Sequence, residues 1–232
     1  MAKPSAKIDE RKRGPGRPAR LSREAILEAG LALLEHAPEE PLTLSRVAEE
    51  VDAVPAALYR HIGSHDELLD GVLGLVLEGI PFEIRRRASW RSQVREWMTC
   101  VRAHLLRYPA VVSMIGRRGR TSPAWFDATD VLIEILEKAG FRGAELARAY
   151  LWVAEATMGC IVNEASIPYA DQIEGARNAL TEMSENARKR QAPLLPHLSA
   201  IDDDAFFALI TERTIGALPE PTGTVSTRKA RR

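Results

Sequence analysis

The stretch from Leu42 to Leu69 constrains the fold most, because it holds two short helical patterns separated by a tight turn. In the first pattern, apolar residues recur at the spacing of one face of an amphipathic helix: Leu44, Val47, Ala48 and Val51. Asp52 begins the break, and Pro55 fits only in the first turn of a new helix, where a missing N–H is tolerated. We expect this second helix to run from Pro55 to Ile62. Two helices joined in this way predict a helix-turn-helix, whose second helix has the dimensions to enter a DNA major groove.

A set of residues around the helix-turn-helix forms a further pattern: Ile26, Leu27, Leu42, Thr43, Val47, Ala48, the run from Ala57 to His61 and the run from Ser64 to Leu69. With these residues, the segment from 22 to 80 resembles the DNA-binding domain of the TetR family of bacterial transcription regulators. The chain departs from the family pattern at three positions. Asp52 stands where the family usually has a turn glycine, Val54 where it has a polar N-cap, and His65 where it has a lysine at the start of the fourth helix.

The resemblance implies which residues of this region meet DNA. They are Thr43, Ser45, Arg46, Pro55, Ala56, Ala57, Tyr59, Arg60, His61 and His65. Thr43, Tyr59 and His61 match positions that hydrogen-bond the DNA backbone, and such contacts fix register without reading sequence. The groove-facing positions 55 to 57 hold a proline and two alanines, which offer no side-chain donors or acceptors. We therefore expect direct readout through thymine methyl groups and T-rich half-sites.

The formal net charge of zero conceals an asymmetry between the chain termini and the helix-turn-helix region. Residues 21 to 80 carry three basic side chains against twelve acidic ones, a net of −9, which is unfavourable for binding a polyanion. Residues 1 to 20 carry seven basic side chains against two acidic ones, a net of +5. Prolines and glycines within residues 11 to 18 prevent a helix, so we predict a flexible basic arm.

The basic arm has two interpretations. Gly16-Arg17-Pro18 resembles the core of an AT-hook, and arms of this kind enter the narrow minor groove of A·T-rich DNA. In this interpretation Arg13, Arg17 and Arg20 contact DNA. The alternative is a solubilising tail. The position of the arm directly before the helix-turn-helix favours DNA binding.

The remainder of the chain reads as helices without a β pattern. We predict helices over residues 22–35, 90–107, 110–115, 123–139, 144–166, 171–190 and 203–217, and a fourth helix that follows a capping box. In that box Ser64 accepts from the Glu67 N–H, and Glu67 reaches back to the N-cap N–H. The sequence thus predicts an all-α fold of two domains joined by a linking helix. Its predicted parts are a basic arm (1–21), a DNA-binding domain (22–80), a larger helical domain (81–218) and a basic tail (219–232).

A second resemblance covers the larger helical domain. It is similar to the C-terminal ligand-binding domain of the tetracycline-repressor branch at Trp90-Arg91, Leu105 to Tyr108, Gly116, Ala139 to Phe141 and Thr157 to Cys160. The resemblance implies a homodimer with a four-helix bundle and one small-molecule pocket per subunit. Helices 144–166 and 203–217 carry apolar residues on more than one face, which agrees with burial on two sides. Interface candidates are Phe206, Leu209, Ile210 and Ala217, and a purely intramolecular core is the alternative.

The same resemblance implies a pocket for a small molecule. Its expected lining is Trp97, His104, Met114, Arg117, Arg118, Trp125, Phe126, Trp152, Cys160 and Asn163, although aromatic residues at helical spacing also suit plain core. The histidine that helps the tetracycline repressor hold a magnesium-bound drug corresponds here to Met114, whose thioether does not ligate a hard cation. We therefore expect no metal or other cofactor and a larger apolar or aromatic effector.

Other classes of protein find little support in the sequence. There is no glycine-rich phosphate loop, paired His/Cys metal spacing or nucleophile elbow, so we expect no enzyme. Asp202 to Asp204 suit an acidic helix start better than a cation site. Cys100 and Cys160 suit a reducing compartment, and neither a membrane-crossing run nor a signal peptide is present, so we expect a cytoplasmic protein.

These patterns predict a ligand-responsive transcription regulator, a homodimeric repressor that a small molecule releases from a palindromic operator in double-stranded DNA. The alternative is an all-helical ligand-binding or protein-interaction module that no longer reads DNA. The acidic helix-turn-helix region and the missing lysine favour that alternative.

Overall fold

The structure is a computed structural model that describes residues 21–38, 40–112 and 123–222. Throughout these residues the regular structure is helical and no strand occurs, so the predicted all-α fold is confirmed. The first helices are α1 (Arg23–His36), α2 (Leu44–Glu50), α3 (Pro55–Leu58) and α4 (His65–Glu78). The later helices are α5 (Trp90–Leu105), α6 (described over residues 109–112), α7 (Pro123–Ala139), α8 (Gly143–Ser166), α9 (Tyr169–Ala179), α10 (Glu185–Gln191), α11 (Leu195–Leu198) and α12 (Asp203–Gly216).

Side-chain caps start three of the first four helices. The hydroxyls of Ser22, Thr43 and Ser64 each accept a hydrogen bond from the backbone N–H three residues later, at 3.2, 3.3 and 3.1 Å respectively. These bonds satisfy N–H groups that have no partner within the helix. α3 begins instead with Pro55, which carries no N–H. The starts of all four helices therefore follow from local sequence.

The predicted capping box at the start of α4 forms with one difference. The Glu67 carboxylate accepts from the N–H of Gly63, at 2.8 Å, rather than from the N–H of the N-cap Ser64. The same carboxylate lies 3.4 Å from the Arg23 guanidinium of α1. The Gly63 N–H, and after it Arg23, lower the pKa of Glu67 below its ordinary value.

A tight turn joins α2 to α3, and Asp52 has a positive φ of 49° there. This left-handed conformation suits glycine best and is tolerated by aspartate, which explains how aspartate replaces the expected glycine. α3 ends at Leu58, earlier than the predicted Ile62. It ends because the N–H groups of Arg60 and His61 bond to carbonyls three residues back, which tightens the chain into a turn. Leu58 and Ile62 are nevertheless both fully buried.

α4 joins the two halves of the fold. It packs against α1 on one side and against α7 on the other. Its buried residues belong to one continuous core: Leu68, Val72, Leu73, Val76 and Leu77. Leu68 and Val72, four residues apart, set the buried stripe, and Leu69 beside them is half-buried.

α5 lies at the centre of the second half and contacts α7, α8 and α12. Three arginines of α5 pair with acidic residues of α12 and the segment after it: Arg91 with Glu220 at 2.9 Å, Arg95 with Glu212 at 2.6 Å and Arg102 with Asp204 at 2.7 Å. Arg102 also forms a bidentate pair with Glu164 of α8, at 2.7 and 2.8 Å. Its guanidinium lies 4.7 Å from the ring centre of Phe207. The carboxylates raise the pKa of Arg102, so this group holds three helices together as a permanent cation.

The region between α8 and α12 differs from the prediction of one helix over residues 171–190. The chain instead forms α9, a break, α10 and α11. The break arises because the Thr181 hydroxyl donates to the Asn178 carbonyl at 3.1 Å and Ser184 caps a new helix. Ile173 and Leu195, which are buried residues of the segment from α9 to α11, lie outside the main core.

Candidate DNA-binding and effector-binding sites

The outward side of the helix-turn-helix carries small apolar side chains and one tyrosine. Val54 is 65% exposed and Tyr59 is 54% exposed, whereas Leu58 between them is fully buried. Pro55 and Ala56 are also exposed. This surface offers methyl and methylene groups to a major groove, together with the phenol hydroxyl of Tyr59.

Most of the predicted DNA contacts of this region lie on its accessible side. Ser45, Arg60 and His61 are exposed, while Thr43 and Ala57 are half-buried. The Thr43 oxygen accepts the α2 cap bond, and its hydroxyl proton remains a donor. These roles in DNA binding stay predictions, and Arg13, Arg17 and Arg20 of the predicted arm lie outside the described residues.

Two predicted DNA contacts are engaged within the protein. The Arg46 guanidinium donates to the Pro41 carbonyl at 2.8 Å and lies 2.8 Å from the Glu40 carboxylate. The His65 ring places its Nε2 2.7 Å from the Leu42 carbonyl. Both side chains therefore hold the connection between α1 and α2.

One group of predicted effector-binding residues lies where α4, α5 and α7 meet. Trp97 is fully buried and its indole N–H donates to the Ala128 carbonyl at 3.2 Å. Trp125 is buried as well. The Nε2 atom of the buried His104 lies 2.7 Å from the Val76 carbonyl, and burial lowers the pKa of His104, so the neutral ring carries its proton on Nε2. Phe126 is 56% exposed.

Three more predicted pocket residues are not described. Met114, Arg117 and Arg118 lie between residues 113 and 122, outside the part of the chain that the structure describes. This segment separates α6 from α7 in sequence. The predicted effector pocket therefore stays a prediction.

A second group of predicted effector-binding residues lies elsewhere, on the outward side of α8 and α12. Trp152, Cys160 and Asn163 line an open groove of about 670 Å³ together with the predicted interface residues Phe206 and Ile210. The Trp152 indole N–H donates to the carbonyl of Thr214 of α12 at 3.1 Å. Burial raises the pKa of the Cys160 thiol. The structure thus separates these three residues from Trp97, Trp125 and His104.

The outward groove continues along both helices. A neighbouring groove of about 660 Å³ is lined by Leu151 and Ala149 of α8 and by Leu218 after α12, among others. Leu151, Trp152 and Leu209 are between 45% and 56% exposed. An apolar surface of this kind marks an interaction site when several large side chains adjoin.

Comparison with known proteins identifies the family. Residues 85–214 match the family described as the tetracyclin repressor-like C-terminal domain, which is more than half of the chain. The chain belongs to the TetR family of transcription regulators.

TetR-family relatives match over most of their length. An HTH-type transcriptional regulator of Saccharopolyspora erythraea is 26% identical over 172 residues, which cover 74% of this chain and 71% of the relative. The class C tetracycline repressor of Escherichia coli is 26% identical over 201 residues, 86% of this chain and 91% of the repressor. The structure of ActR from Streptomyces coelicolor in complex with (S)-DNPA matches with a TM-score of 0.70 at 23% identity, covering 86% of this chain and 98% of ActR. The sequence-based prediction of a TetR-family transcription regulator is therefore confirmed.

Sequence reasoning missed a contact at the joint between the two halves of this TetR-family chain. The Tyr108 hydroxyl, just before α6, donates to the Glu35 carboxylate at the end of α1, at 3.0 Å. Burial, and after it Glu35, raise the pKa of Tyr108, so the hydroxyl stays protonated. The two residues are 73 positions apart, and no local pattern signals their contact.

Neither a metal cluster nor a membrane span occurs in the part of the chain that the structure describes. Within 21–38, 40–112 and 123–222, no three His, Cys, Asp or Glu side chains gather in a way that would hold a metal ion. In the same ranges no helix combines the length and the apolar character needed to cross a bilayer.

Proposed function

We propose that this TetR-family regulator is a homodimeric repressor that binds a palindromic operator and is released from it by a small molecule. The observation that carries the proposal is the position of α4, which begins in the helix-turn-helix region and shares its buried face between α1 and α7. Because α4 packs against both α1 and α7, an effector that displaces α7 displaces the helix-turn-helix as well. A ligand that binds the displaced arrangement more tightly shifts the equilibrium away from DNA.

Each predicted part of the chain has its own role in this proposal. Residues 1–21 form a basic arm, 22–80 the DNA-binding domain, 81–218 the effector and dimerisation domain, and 219–232 a basic tail. The protein acts on DNA in the cytoplasm and has no enzymatic role.

The second copy of the chain covers the outward face of α8 and α12. Support comes from Leu151, Trp152 and Leu209, which the rest of their own chain leaves about half exposed. Phe206 and Ile210 line the adjoining groove. Two such faces related by a twofold axis form a four-helix bundle, and a twofold dimer reads a palindrome.

Base reading relies on apolar contacts. Pro55, Ala56 and Ala57 contact thymine methyl groups, while Thr43, Tyr59 and His61 hydrogen-bond the DNA backbone. The exposure of Pro55 and Ala56 supports the first role. In selection from random DNA we expect T-rich half-sites, and half-sites made only of G·C pairs would contradict this mode of reading.

The effector is an apolar or aromatic small molecule. Trp97, Trp125 and His104 support this class, because they place three aromatic side chains in the interior where α4, α5 and α7 meet. Met114, Arg117, Arg118 and Phe126 complete the proposed lining on the strength of the family resemblance.

The test is a mobility-shift assay on the DNA that flanks the protein's own gene, titrated at several salt concentrations. We expect a specific shift whose affinity falls steeply with salt. Deletion of residues 1–18 removes arm charges such as Arg13 and Arg17, and Arg20 is neutralised in the same protein. If this removes about six phosphate-binding side chains per dimer, the slope of log affinity against log salt flattens by roughly 5.

A second candidate function remains to be separated from the first. The net charge of −9 over residues 21 to 80 favours a helical ligand-binding module without specific DNA binding. Absence of any specific shift, or an arm deletion that changes neither affinity nor salt slope, would favour that candidate.

A further inference from the structure

In the connection between α1 and α2, two consecutive backbone carbonyls are hydrogen-bonded to side chains. Arg46 of α2 donates to the Pro41 carbonyl at 2.8 Å. His65, the first residue of α4, lies with its Nε2 2.7 Å from the Leu42 carbonyl. A carbonyl only accepts, so the imidazole carries its proton on Nε2. The residue that follows these two carbonyls is Thr43, which caps α2.

The Arg46 guanidinium is also paired in charge. A second nitrogen lies 2.8 Å from the Glu40 carboxylate, and only 25% of the Arg46 side chain is exposed. A phosphate would have to compete with this carboxylate for the same donors. The geometry therefore disfavours Arg46 as a free cation for DNA.

The apolar side chains of the same segment anchor it in the core. Leu42 and Leu44 on either side of Thr43 are 4% and 9% exposed. Burial holds the two leucines in the core, and the two polar side chains hold the carbonyls of Pro41 and Leu42. Four residues together therefore restrain the backbone on either side of Thr43.

We propose that Arg46 and His65 are positioning residues that fix the amino end of α2, and that they do not bind DNA phosphates. The proposal rests on the operator binding proposed above, because the positioning by Arg46 and His65 aims the Thr43 hydroxyl at the DNA backbone. His65 also ties α2 to the first turn of α4. A displacement of α4 by an effector thereby moves Thr43 directly.

The salt dependence of DNA binding separates the two possible roles. Removal of a phosphate ligand flattens the slope of log affinity against log salt by about 0.9 per contact, or about 1.8 for a dimer. Removal of a positioning residue weakens binding without changing the number of counterions released. The slope therefore stays at its original value.

The experiment uses the full-length protein on one operator fragment, titrated at several salt concentrations. The variants are Arg46→Met, His65→Leu and His65→Gln, in which the glutamine amide keeps a donor near the position of Nε2. We expect Arg46→Met and His65→Leu each to weaken binding by roughly tenfold with an unchanged salt slope. His65→Gln should retain nearly wild-type affinity. Arg60→Met is the matched comparison for loss of a DNA-contacting cation, because Arg60 is a predicted DNA contact that is exposed on the turn after α3. Its salt slope should flatten by about 1.8.

Two results would overturn the proposal. A slope that flattens by about 1.8 in Arg46→Met or His65→Leu would show that the residue is a phosphate ligand. If the affinity and the salt slope of a variant both stay at wild-type values, the substituted residue is neither a phosphate ligand nor a positioning residue. Thermal melting of each variant checks that it is folded, and Arg46→Met carries the test if His65→Leu is not.

A measurement without DNA keeps this proposal separate from the operator proposal. Amide hydrogen exchange at Arg46 and Val47, the first N–H groups bonded at the α2 cap, reports whether the amino end of α2 is fixed. We expect exchange there to be roughly tenfold faster in His65→Leu and unchanged in His65→Gln. If the wild-type protein binds no operator but exchange responds in this way, the operator proposal fails and the positioning role stands. Exchange that is the same in all three proteins would overturn the positioning role.

Discussion

The helix-turn-helix half and the α5–α12 half of this chain bury their apolar surface in different ways. α1 and α4 approach so closely that a Cβ on Gly30 would lie 2.8 Å from Val72 and one on Gly71 would lie 2.6 Å from Leu27. Along α8, by contrast, a Cβ on Gly159 would meet nothing within 4 Å. At these two positions α1 and α4 of the first half leave no space between them. The second half leaves one face of α8 and α12 open.

The two halves also differ in how charges hold them. In the first half, Arg46 pairs with Glu40 within one short connection, and the longer pair between Arg23 and Glu67 spans 44 residues. In the second half, Arg95 and Arg102 cross from α5 to α12 over more than a hundred residues of sequence. This difference fits the proposed roles, in which the first half binds DNA and the second half aligns α8 and α12 against a second copy of the chain.

Charge placed on the open face should have the largest effect. Leu209→Glu puts a carboxylate at the centre of the proposed interface, where pairing would bury it without a partner. We expect a monomer by light scattering coupled to size exclusion, and at least roughly a hundredfold loss of operator affinity, because each half-site is then bound singly. Thermal stability of the monomer should stay sufficient for a folded α-helical spectrum.

Ala208→Glu is the matched control for Leu209→Glu. Ala208 is exposed on the same helix, one position away, on the side of Asp204 and Glu212, which face α5. This variant should remain dimeric. Equal behaviour of the two variants, whether both dimeric or both monomeric, would contradict an interface centred on Leu209.

Removal of the central arginine of α5 should have the next largest effect, on folding. Arg102→Met leaves Glu164, 18% exposed, without its bidentate partner and removes the contact with Phe207. We expect the free energy of unfolding to fall by about 2 to 4 kcal/mol in urea titrations. Arg95→Met is the control, because the Arg95 side chain is 42% exposed and such pairs contribute below about 1 kcal/mol. Equal losses in the two variants would show that burial of the Arg102 pair has no special weight.

The sequence predicts well those features that depend on neighbours three or four residues away. The cap of α4 at Ser64 is of this kind. Local spacing determines this cap, because one helical turn brings its bonded groups together. The short α3 and the break before Ser184 are not fixed in this way, since turn and helix have similar local energies there.

The candidate sites depend on contacts that local spacing does not determine. His65 and the Leu42 carbonyl are 23 residues apart, and Tyr108 and Glu35 are 73 apart. Helical spacing also shows that a face is apolar without showing what covers it. For this reason Trp152 was grouped with Trp97 in the predicted pocket, although Trp152 lies in an outward groove and Trp97 lies in the core.

The joint between the two halves should respond to pH through His104. Burial lowers the pKa of this group, so below the ordinary histidine pKa of about 6.5 the unfolded chain binds a proton more readily than the folded one. Stability is therefore unaffected above that pH and falls as pH drops toward the folded pKa, by about 1.4 kcal/mol for each pKa unit of difference. Val76, Gly79, Arg107 and Tyr108 surround the ring and offer no carboxylate to offset the charge.

The measurement compares melting at about pH 7.5 and about pH 5.5, on either side of the ordinary histidine pKa. It uses wild type and His104→Gln, whose amide donates to the same Val76 carbonyl. The loss of stability on acidification should be smaller in the variant. Tyr108→Phe is the control, because it leaves His104 in place and should keep the wild-type loss. An unchanged pH dependence in His104→Gln would show that acid sensitivity originates elsewhere.

The smallest expected effects come from three glycines that probe the two kinds of packing directly. Alanine in place of a helical glycine stabilises a helix by roughly 0.5 to 1 kcal/mol where its Cβ has room. A Cβ at Gly175 in α9 meets nothing within 4 Å, so Gly175→Ala should raise the melting temperature. A Cβ at Gly30 would press on the stiff, β-branched Val72 at 2.8 Å, so Gly30→Ala should instead destabilise by about 1 to 3 kcal/mol.

Gly159 tests whether a partner helix approaches α8. It has open space within its own chain but lines the outward groove. If a second α8 packs closely there, Gly159→Ala should weaken dimerisation in concentration-dependent melts, in spite of the higher helix propensity of alanine. Stabilisation equal to that of Gly175→Ala, at all protein concentrations, would show that no partner helix approaches at this point.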